Sequence, residues 1–453
     1  MPVRVRTFEA DQPVFRAIVT RYSQQGCRSL AGSSQFRLLG QRRFAPFFAT
    51  QFLGALNDNI FRNGLVILIT FQGVMVAGMD HTQLANVAAG LFILPYLLFS
   101  ASAGQLADKY EKSMLIRRIK VMEIGLMMLA ALSLITESYS LLLLVLFLMG
   151  CQSTIFGPVK YAYLPQKLAD DELVGGNALV ESGTYIAIIL GLIVGGIAVG
   201  DEIAFGFDVT RQTVLGGCLI LVALTGYATS LKVPKTAAVD PTLRFNWNAW
   251  QETWRIINYA REDRSVFLAI LGISWFWFFG SAMTIQIPAY TLEILNGDEA
   301  ITTTLLAAFA VGVGIGSLLC ERMSGHRIEL GLVPFGSIGL SLFAIDLYFA
   351  QPDAHLVPAS SIIEFLQRSG SWRILADLAL LGAFGGFYSV PLYALIQKRA
   401  ERKHLSRIIA ANNIINSLLM VSAAIVSIIV LRSGFSIPEL FVVIAVLNAL
   451  VAI

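Results

Sequence analysis

Charged residues are scarce in this chain, and cysteine is scarcer still. Asp, Glu, Lys and Arg make up 14% of the 453 residues and hydrophobic residues 56%, whereas about 25% of a soluble domain is charged. The four cysteines are far apart and none belongs to a CxxC pair, so the sequence indicates neither a disulfide framework nor a metal site. This composition predicts a membrane protein.

Catalytic motifs are missing as well. The sequence contains no GxSxG, no HExxH, no P-loop and no His-acid acyltransferase pattern, and its four histidines lie at or near predicted loops. Its basic residues flank apolar runs instead of gathering on one soluble face, which argues against a nucleic-acid partner. We therefore predict that this chain is not an enzyme and has no cofactor.

The chain is rich in apolar runs of roughly 20 residues, each long enough to cross a hydrocarbon core of about 30 Å as a helix. The last run is near the lower limit of about 17 residues for a span. We therefore expect the natural chain to continue beyond Ile453. The twelve predicted spans, numbered 1 to 12, are 45–76, 84–107, 113–135, 140–163, 173–199, 212–231, 265–292, 300–324, 327–350, 373–396, 405–431 and 437–453.

Basic residues are distributed unevenly between the two sides of these spans. Of the 33 Lys and Arg residues, 28 fall in the N-terminal arm and in or beside the loops after spans 2, 4, 6, 8 and 10. Four fall on the other side, and Arg62 lies within span 1. Because positively charged loops stay in the cytoplasm, we predict a multi-pass protein with both termini cytoplasmic. We call the side with the 28 residues the basic face.

An internal repeat divides the spans six and six. Tyr161 and Ala162 match Tyr393 and Ala394 at an offset of 232 residues, which indicates duplication. An even number of spans in each half makes this a parallel repeat, with the substrate site expected near mid-membrane between two pseudo-symmetric bundles. The predicted segments are a flexible basic cytosolic arm (1–44), a six-helix bundle (45–231), a cytoplasmic linker with an amphipathic helix (232–264) and a second six-helix bundle (265–453).

Two further patterns concern helix packing. In the linker, three tryptophans and two aliphatic residues recur at three- and four-residue intervals. This pattern predicts either a helix that lies in the membrane interface or a linker helix without a regulatory role. Glycines recur in spans 5 and 8, where we expect helix backbones to approach closely. The linker positions are Leu243, Trp247, Trp250, Trp254 and Ile257, and the glycines are Gly191, Gly195, Gly196, Gly200, Gly312, Gly314 and Gly316.

The stretch QFLGALNDNIFRNG, 51–64, places an acid and a base inside span 1. Asp58 lies about 12 residues, or about 18 Å, into that span, where a charge costs roughly 2.5–3.5 kcal/mol. Asp58 and Arg62 are four residues apart on one helix face, the spacing of an ion pair. Either they neutralise each other and fix span 1 to its neighbours, or they face a cavity and bind a substrate or ion.

In the second interpretation, each charge suits one part of a zwitterionic ligand. Arg62 can donate two hydrogen bonds to a phosphate, and Asp58 can hold an ammonium, Na⁺ or H⁺. Apart from this alternative Na⁺, the sequence predicts no metal ion. Nearby amides would add neutral donors and acceptors. The predicted substrate-binding residues of this span are Gln51, Asn57, Asp58, Asn59, Arg62 and Asn63.

Polar pairs one helical turn apart extend this predicted site into spans 5 and 11. Asn177 and Glu181 lie in span 5, and Asn412 and Asn416 repeat the spacing in span 11. Glu181 either lines the substrate pathway or bonds to another helix, since interhelical hydrogen bonds are common in membranes.

Other charged residues favour a structural interpretation. Lys120 and Glu123 lie towards the basic face of span 3, where a lysine can extend to the headgroups. Lys160 ends span 4 and is expected at the interface. Asp346 in span 9 either lines the path or bonds to a neighbour.

The loop after span 2 carries a family likeness. GQLADKYEKSMLIRR, from Gly104, resembles the loop signature of the major facilitator superfamily, G-x-L-a-D-[KR]-x-G-[RK]-[KR], with Glu111 in place of the usual glycine. GSLLCERMSGHR, from Gly316, is a degenerate second copy after span 8. The resemblance implies an all-α membrane protein with twelve transmembrane helices in two pseudo-symmetric six-helix bundles. We expect these loops to form a conformational charge latch on the basic face, made of Gly104, Asp108, Lys109, Lys112, Glu321 and Arg322.

A narrower likeness concerns span 1 and the segment from span 4 to span 5. FFATQFLGALNDNIFRNGLVILITF, with Asp58 followed by Asn59, and FGPVKYAYLPQ with LVGGNALVESGTY resemble the bacterial lysophospholipid transporters. NDN with Arg62 looks closer to the branch of that family that is fused to acyltransferase and acyl-carrier-protein synthetase domains.

This resemblance implies a flippase of the bacterial inner membrane. It would move lysophospholipids, above all lysophosphatidylethanolamine, by alternating access for reacylation in the cytosol. Its implied partners are the substrate, membrane lipid, a coupling ion (Na⁺ or H⁺) and a fused or associated acyltransferase.

Two alternatives stay open at this point. A proton-coupled exporter of amphipathic compounds would use Asp58 or Glu181 as the protonated group. A membrane module of a fused acyltransferase would transport nothing. Neither composition nor spacing separates these alternatives from a lysophospholipid transporter.

Overall fold

The computed structural model describes residues 35–71, 81–199, 210–325, 327–351 and 361–451. Residues 1–34 of the predicted arm, Gly200 and the last two residues of the chain lie outside these ranges. Within them every regular element is helical, which confirms the predicted all-α class.

Twelve long helices make up most of the described chain, and each coincides with one predicted span. Two shorter α-helices lie between them, together with a three-residue helical turn (Ile287–Ala289) and a π-helical turn (Tyr290–Ile294), and a 3₁₀ helix (Gln35–Gly40) precedes the first long helix. In chain order the helices are α1 (Ala45–Phe71), α2 (His81–Lys109), α3 (Lys112–Ile135), α4 (Tyr139–Lys167), α5 (Leu173–Val199), α6 (Arg211–Ser230), α7 (Ala249–Glu262), α8 (Arg264–Ile285), α9 (Glu299–Met323), α10 (Leu332–Phe349), α11 (Ile362–Gln367), α12 (Ser371–Arg399), α13 (Leu405–Arg432) and α14 (Ile437–Val451).

Nine helices within the described ranges are long and apolar enough to cross a membrane. The other three long helices have visible reasons to miss that criterion. Helix α1 carries the polar stretch around Asp58, α3 carries five charged residues, and α14 is a shorter apolar helix at the end of the described chain.

The helices pack mainly within two groups. Among the first six long helices, α1 packs on α5 and α6, α2 on α4, and α3 on α6. Among the last six, α12 packs on α9 and α10, α8 on α13, and α10 on α14. The groups meet where α2 packs on α13 and α5 on α9. The predicted boundaries of the two bundles stay a prediction.

One hydrophobic cluster joins the two groups on the basic face. Phe44 and Tyr163 from the first group are buried with Cys320 and Val390 from the second. Burial of apolar surface contributes roughly 25 cal/mol per Å² only where that surface would otherwise contact water. This cluster lies at the helix ends, where loops and headgroups begin and water is present.

The structure accommodates Glu111 at the position where the loop signature has glycine. Its backbone has φ −65°, which does not require glycine, and its carboxylate accepts hydrogen bonds from the amides of Ser113 and Met114 at the start of α3. The same carboxylate accepts from the backbone amide of Thr236, at 2.7 Å, in the linker. Burial opposes ionisation, but these hydrogen bonds together lower the pKa of Glu111. The acid therefore caps α3 and holds the linker.

Helix α7 buries a face that the aromatic spacing did not predict. The helix begins at Ala249, so Leu243 and Trp247 lie outside it, and its buried side consists of Glu252, Ile256 and Ala260. Ile256 packs with Ala101 and Ala410, where α2 and α13 cross. The exposed side chains are Trp247 (86%), Trp250 (74%) and Trp254 (51%), and their insertion among headgroups stays a prediction.

The repeated glycines allow close helix packing at some positions and not at others. A Cβ at Gly312 would lie 1.9 Å from the carbonyl oxygen of Ala379 in α12, and one at Gly316 would lie 2.0 Å from that of Ala383. A Cβ at Gly314, between them, would have no neighbour within 4 Å. The expected close approach in span 8 therefore involves two of its three glycines.

We expect Gly312→Ala to destabilise the protein by about 1–3 kcal/mol, because the new methyl group must push α9 away from α12. Gly314→Ala adds the same methyl group on the same helix without a clash and is the matched control. The thermal midpoint of each purified variant in detergent tests this difference. Equal midpoints for the two alanine variants would contradict the packing described.

Candidate functional site

Asp58 and Arg62, predicted either to pair or to face a ligand, do not form an ion pair within 4.0 Å in the described structure. Ser153 of α4 donates a hydrogen bond to Asp58 Oδ2 at 2.6 Å. Arg62 donates to Asn59 Oδ1 at 2.7 Å, and its guanidinium lies 5.8 Å from the ring centre of Phe92 in α2. The interpretation in which Asp58 and Arg62 neutralise each other as a direct ion pair is therefore wrong. Each side chain is half-buried and is hydrogen-bonded to a neutral side chain, Ser153 or Asn59.

A second, fully buried charge pair lies beside Asp58. Lys120 Nζ and Glu123 Oε2 of α3 are 2.6 Å apart, and their side chains are 1% and 2% exposed. Asn57 of α1 donates to Glu123 Oε1 at 3.0 Å, and Gln152 of α4 donates to Glu123 Oε2 at 3.2 Å. We call these four residues the lysine–glutamate network.

This network corrects the prediction that Lys120 extends to the headgroups. The lysine points inward, where a Cβ at Gly54 of α1 would lie 2.7 Å from its Nζ. Two glycines, Gly54 and Gly226, leave room for the ammonium between α1 and α6. The sequence signal was the three-residue spacing of Lys120 and Glu123, together with Gln152 in an otherwise apolar span.

Ser153 connects Asp58 to the lysine–glutamate network. Its hydroxyl lies 2.6 Å from Asp58 Oδ2 and 3.2 Å from Gln152 Oε1. A serine has one proton to donate, so it satisfies one of these oxygens at a time. If Asp58 is ionised, Ser153 donates to it; if Asp58 is protonated, it can donate to Ser153, which then donates to Gln152. The arrangement accommodates both protonation states of Asp58.

The remaining amides predicted in span 1 do not gather around Asp58. Asn57 belongs to the network, and Asn59 donates to the carbonyl of Ala55 while it accepts from Arg62. Gln51 instead faces α5, where its Oε1 accepts from Thr184 at 3.3 Å. Asn63 is half-buried.

Asn177 and Glu181 lie at the boundary between the two groups of helices. Asn177 donates to Gln397 Oε1 of α12 at 2.6 Å, and Gln397 donates to the carbonyl of Tyr161 at 3.1 Å. Glu181 accepts from the hydroxyl of Tyr161 at 2.5 Å. Both residues thus bond to other helices, and any role in a pathway stays a prediction.

The residues that carry the internal repeat meet in space. The rings of Tyr161 and Tyr393 stack with centroids 4.5 Å apart and an interplanar angle of 2°. Asn416 accepts from Ser274 of α8 at 2.7 Å, and Asn412 is fully buried. The predicted site residues therefore form two sets: one around Asp58, and one at the boundary near the basic face.

Asp108 has a different partner from those predicted for the latch. Its Oδ2 accepts from Arg407 Nε of α13 at 2.9 Å, and both side chains are at most 1% exposed. Lys112 donates to the carbonyl of Ala107 at 3.5 Å, and Lys109 lies over the ring of Tyr110. An ion pair of Asp108 with either lysine is wrong for the described structure.

Local packing supports the contact between Asp108 and Arg407. A Cβ at Gly104 would lie 2.8 Å from that of Ala410 and 3.0 Å from the Cα of Arg407. His404 Nδ1 lies 2.6 Å from Arg407 Nη2. Burial, and then the charge of Arg407, lower the pKa of His404, so a neutral imidazole can accept this hydrogen bond at pH 7.

The second copy of the loop motif makes a related contact. Glu321, at the end of α9, accepts from the backbone amide of Gln35 at 3.2 Å and lies against Gly175 at the start of α5. Arg322 is exposed. The degenerate copy thus places an acid against a glycine where the first copy has an arginine.

We expect Lys120→Met and Glu123→Gln each to destabilise the protein by about 3–5 kcal/mol, because each removes one partner of a buried ion pair. Arg373→Met is the control, since the Arg373–Asp346 pair is 49% and 34% exposed and such pairs contribute at most about 1 kcal/mol. Thermal or denaturant unfolding in detergent measures all three. Single variants no less stable than the control would contradict a structural role for this network.

Known proteins resemble this chain in sequence and in fold. Among curated proteins, the lysophospholipid transporter LplT of Escherichia fergusonii is 26% identical over 361 residues, which cover 78% of this chain and 79% of that protein. The protein of the same name from Cronobacter sakazakii is 25% identical over 370 residues, 80% of this chain and 82% of that one.

Solved structures share the fold at low sequence identity. The human organic anion transporter MFSD10 (TETRAN) has a TM-score of 0.67 and 12% identity, covering 91% of this chain and 98% of its own. The E. coli fucose:proton symporter FucP has a TM-score of 0.64 and 13% identity, covering 90% and 96%. The family model described as Major Facilitator Superfamily matches residues 46–366. The chain therefore belongs to the Major Facilitator Superfamily.

Proposed function

We propose that this protein is a secondary transporter that moves lysophospholipids across the bacterial inner membrane by alternating access, with its basic face and both termini in the cytoplasm. The printed names of its curated relatives support the substrate class, and the distribution of basic residues supports the orientation. The product would be a lysophospholipid available to an acyltransferase in the cytosol.

The separation of Asp58 from Arg62 is the observation that carries this proposal. An ionised carboxylate and a guanidinium in the membrane are costly unless other groups interact with them. Here each bonds to neutral side chains, Ser153 and Asn59, and retains unused hydrogen-bonding capacity. A zwitterionic headgroup would satisfy both, with its phosphate on Arg62 and its ammonium on Asp58.

The coupling ion would act at Asp58. The Asp58–Ser153–Gln152 connection accepts a proton without breaking its hydrogen bonds, which favours H⁺ over Na⁺. Glu123 pairs with Lys120 and accepts a hydrogen bond from Gln152, which holds Gln152 beside Ser153.

Alternating access would occur by movement of the helix groups 45–231 and 265–453 against each other. The contacts between them that involve Asp108–Arg407, Asn177–Gln397 and the tyrosine stack all lie towards the basic face. A conformation with these contacts is closed on that side, and their separation would open the path to the cytoplasm.

Uptake of two lysolipids with different headgroups by Arg62 and Asp58 variants of the protein tests this binding mode. We expect Arg62→Ala to lower uptake of both lysophosphatidylethanolamine and lysophosphatidylglycerol by roughly 10-fold or more, since a charge-assisted hydrogen bond is worth about 1.5–3 kcal/mol. Asp58→Asn should lower uptake of both lysolipids because it removes the coupling carboxylate, and should lower uptake of lysophosphatidylethanolamine further, since it alone of the two carries an ammonium. Uptake into spheroplasts at matched expression measures both.

Asp346→Asn is the control for Asp58→Asn, because the Asp346 carboxylate pairs with Arg373 near the surface. Equal loss of both lysolipids in Asp58→Asn would place the coupling ion, not the ammonium, at this carboxylate. If the native chain moves neither lysolipid, the substrate assignment is wrong and the exporter or the non-transporting module takes its place.

The latch gives a separate prediction. We expect Asp108→Asn to increase the distance between spin labels at Tyr110 and Lys403, two exposed positions on either side of the contact. The double variant Asp108→Arg/Arg407→Asp should restore part of the short-distance population. Lys109→Gln should change little, since Lys109 takes no part in the ion pair. A larger effect of Lys109→Gln than of Asp108→Asn would overturn this assignment.

A further inference from the structure

A cavity of about 420 Å³ opens on the basic face between the linker and the ends of the helices. Its walls come from the start of α3, the end of α4, linker residues 235–239, and the segment between α12 and α13. None of the residues that line it belongs to the set around Asp58, and they have no part in the transport mechanism proposed above.

The charge of this cavity is of one sign. Four of the thirteen residues that line it are basic, and none is acidic. Two neutral hydroxyls, those of Thr236 and Ser406, also line it. The basic residues are Lys112, Lys167, Lys235 and Arg402.

Lys112 makes this a built site rather than a group of surface lysines. Its side chain is 0% exposed, and its ammonium has one long hydrogen bond, 3.5 Å to the carbonyl of Ala107. Within the described residues it forms no ion pair to 4.0 Å. A buried ammonium with unused donors is costly unless an anion approaches it.

The two acids near Lys112, Asp108 and Glu111, bond to other groups, although Oδ1 of Asp108 has no hydrogen-bond partner within the described residues. Asp108 Oδ2 accepts from Arg407, and Glu111 accepts from Ser113, Met114 and Thr236. Lys167 donates to the carbonyl of Lys235 at 2.7 Å, which holds the linker against the end of α4. The wall is therefore formed before a ligand binds, and none of the four basic residues that line it forms an ion pair within the described residues.

We propose that this cavity binds a phosphate group, presented either by the headgroup of an anionic phospholipid in the adjacent leaflet or by a soluble phosphate ester. Four cations around a cavity of this size match an anion with several acceptor oxygens. The ligand would join Lys112, Lys167 and Lys235 to Arg402 in the segment before α13. It would thereby stabilise the conformation that is closed on the basic face, whatever lipid is transported.

Binding to the purified full chain in detergent tests this site. The probes are dioleoylphosphatidylglycerol, inorganic phosphate and dioleoylglycerol, which has the same acyl chains without the phosphate. Native mass spectrometry measures bound lipid, and the thermal midpoint measures stabilisation by each probe.

The test variant is Lys235→Gln/Arg402→Gln, in which both positions are exposed and the fold is not at risk. The control is Lys232→Gln/Lys398→Gln, which removes two exposed charges from the same face outside the cavity. We expect the native chain and the control to bind phosphatidylglycerol at least about 10-fold more tightly than the test variant, because two charge-assisted contacts are lost.

The outcomes separate the two sources. Binding of phosphatidylglycerol that requires Lys235 and Arg402 assigns the site to a lipid headgroup. Stabilisation by inorganic phosphate alone, with the same dependence, assigns it to a soluble ester. Equal binding of phosphatidylglycerol and dioleoylglycerol, or equal loss in the test and control variants, overturns the proposal without affecting the lysolipid assay.

Discussion

The burial of charge in a low-dielectric environment is the constraint on which the rest of this structure depends. The Lys120–Glu123 pair meets it within the protein, because Asn57 and Gln152 occupy the other positions around the carboxylate. That network fixes α1 against α3 and α4. With Glu123 committed to Lys120, neither group is left to neutralise Asp58 or Arg62. The same helix thus carries, directly after an amide that bonds to this network, two charges that do not pair with each other.

Each copy of the loop motif makes a contact between the two groups of helices on the basic face, but the two contacts use different residue types. The end of α2 meets the start of α13 through Asp108 and Arg407, and the end of α9 meets the start of α5 through Glu321 and Gly175. The backbone of Gln35, from outside the repeat, donates to Glu321. The first contact joins two oppositely charged side chains, whereas the second brings an acid against a glycine.

The sequence was sufficient to predict the helices, because apolar runs of span length leave few alternatives. It was also sufficient to place Asp58 within a long helix and to match Tyr161 with Tyr393, which stack. It was insufficient to identify partners. The four-residue spacing of Asp58 and Arg62 allows an ion pair, but Ser153 and Asn59 from neighbouring positions compete for the same atoms. Lys120 was assigned to the interface because depth along a helix does not reveal which way a long side chain points.

The strength of the Asp108–Arg407 contact is limited by the same constraint. In the closed conformation both groups are desolvated, which offsets most of their mutual attraction. When α2 and α13 separate, water reaches the two charges and this desolvation penalty is recovered. The ion pair therefore contributes less to the free-energy difference between the closed and open conformations than its short distance of 2.9 Å suggests. The close approach at Gly104 supplies shape specificity without charge. A latch of this kind would define the closed geometry and still open reversibly, as the proposed alternating access requires.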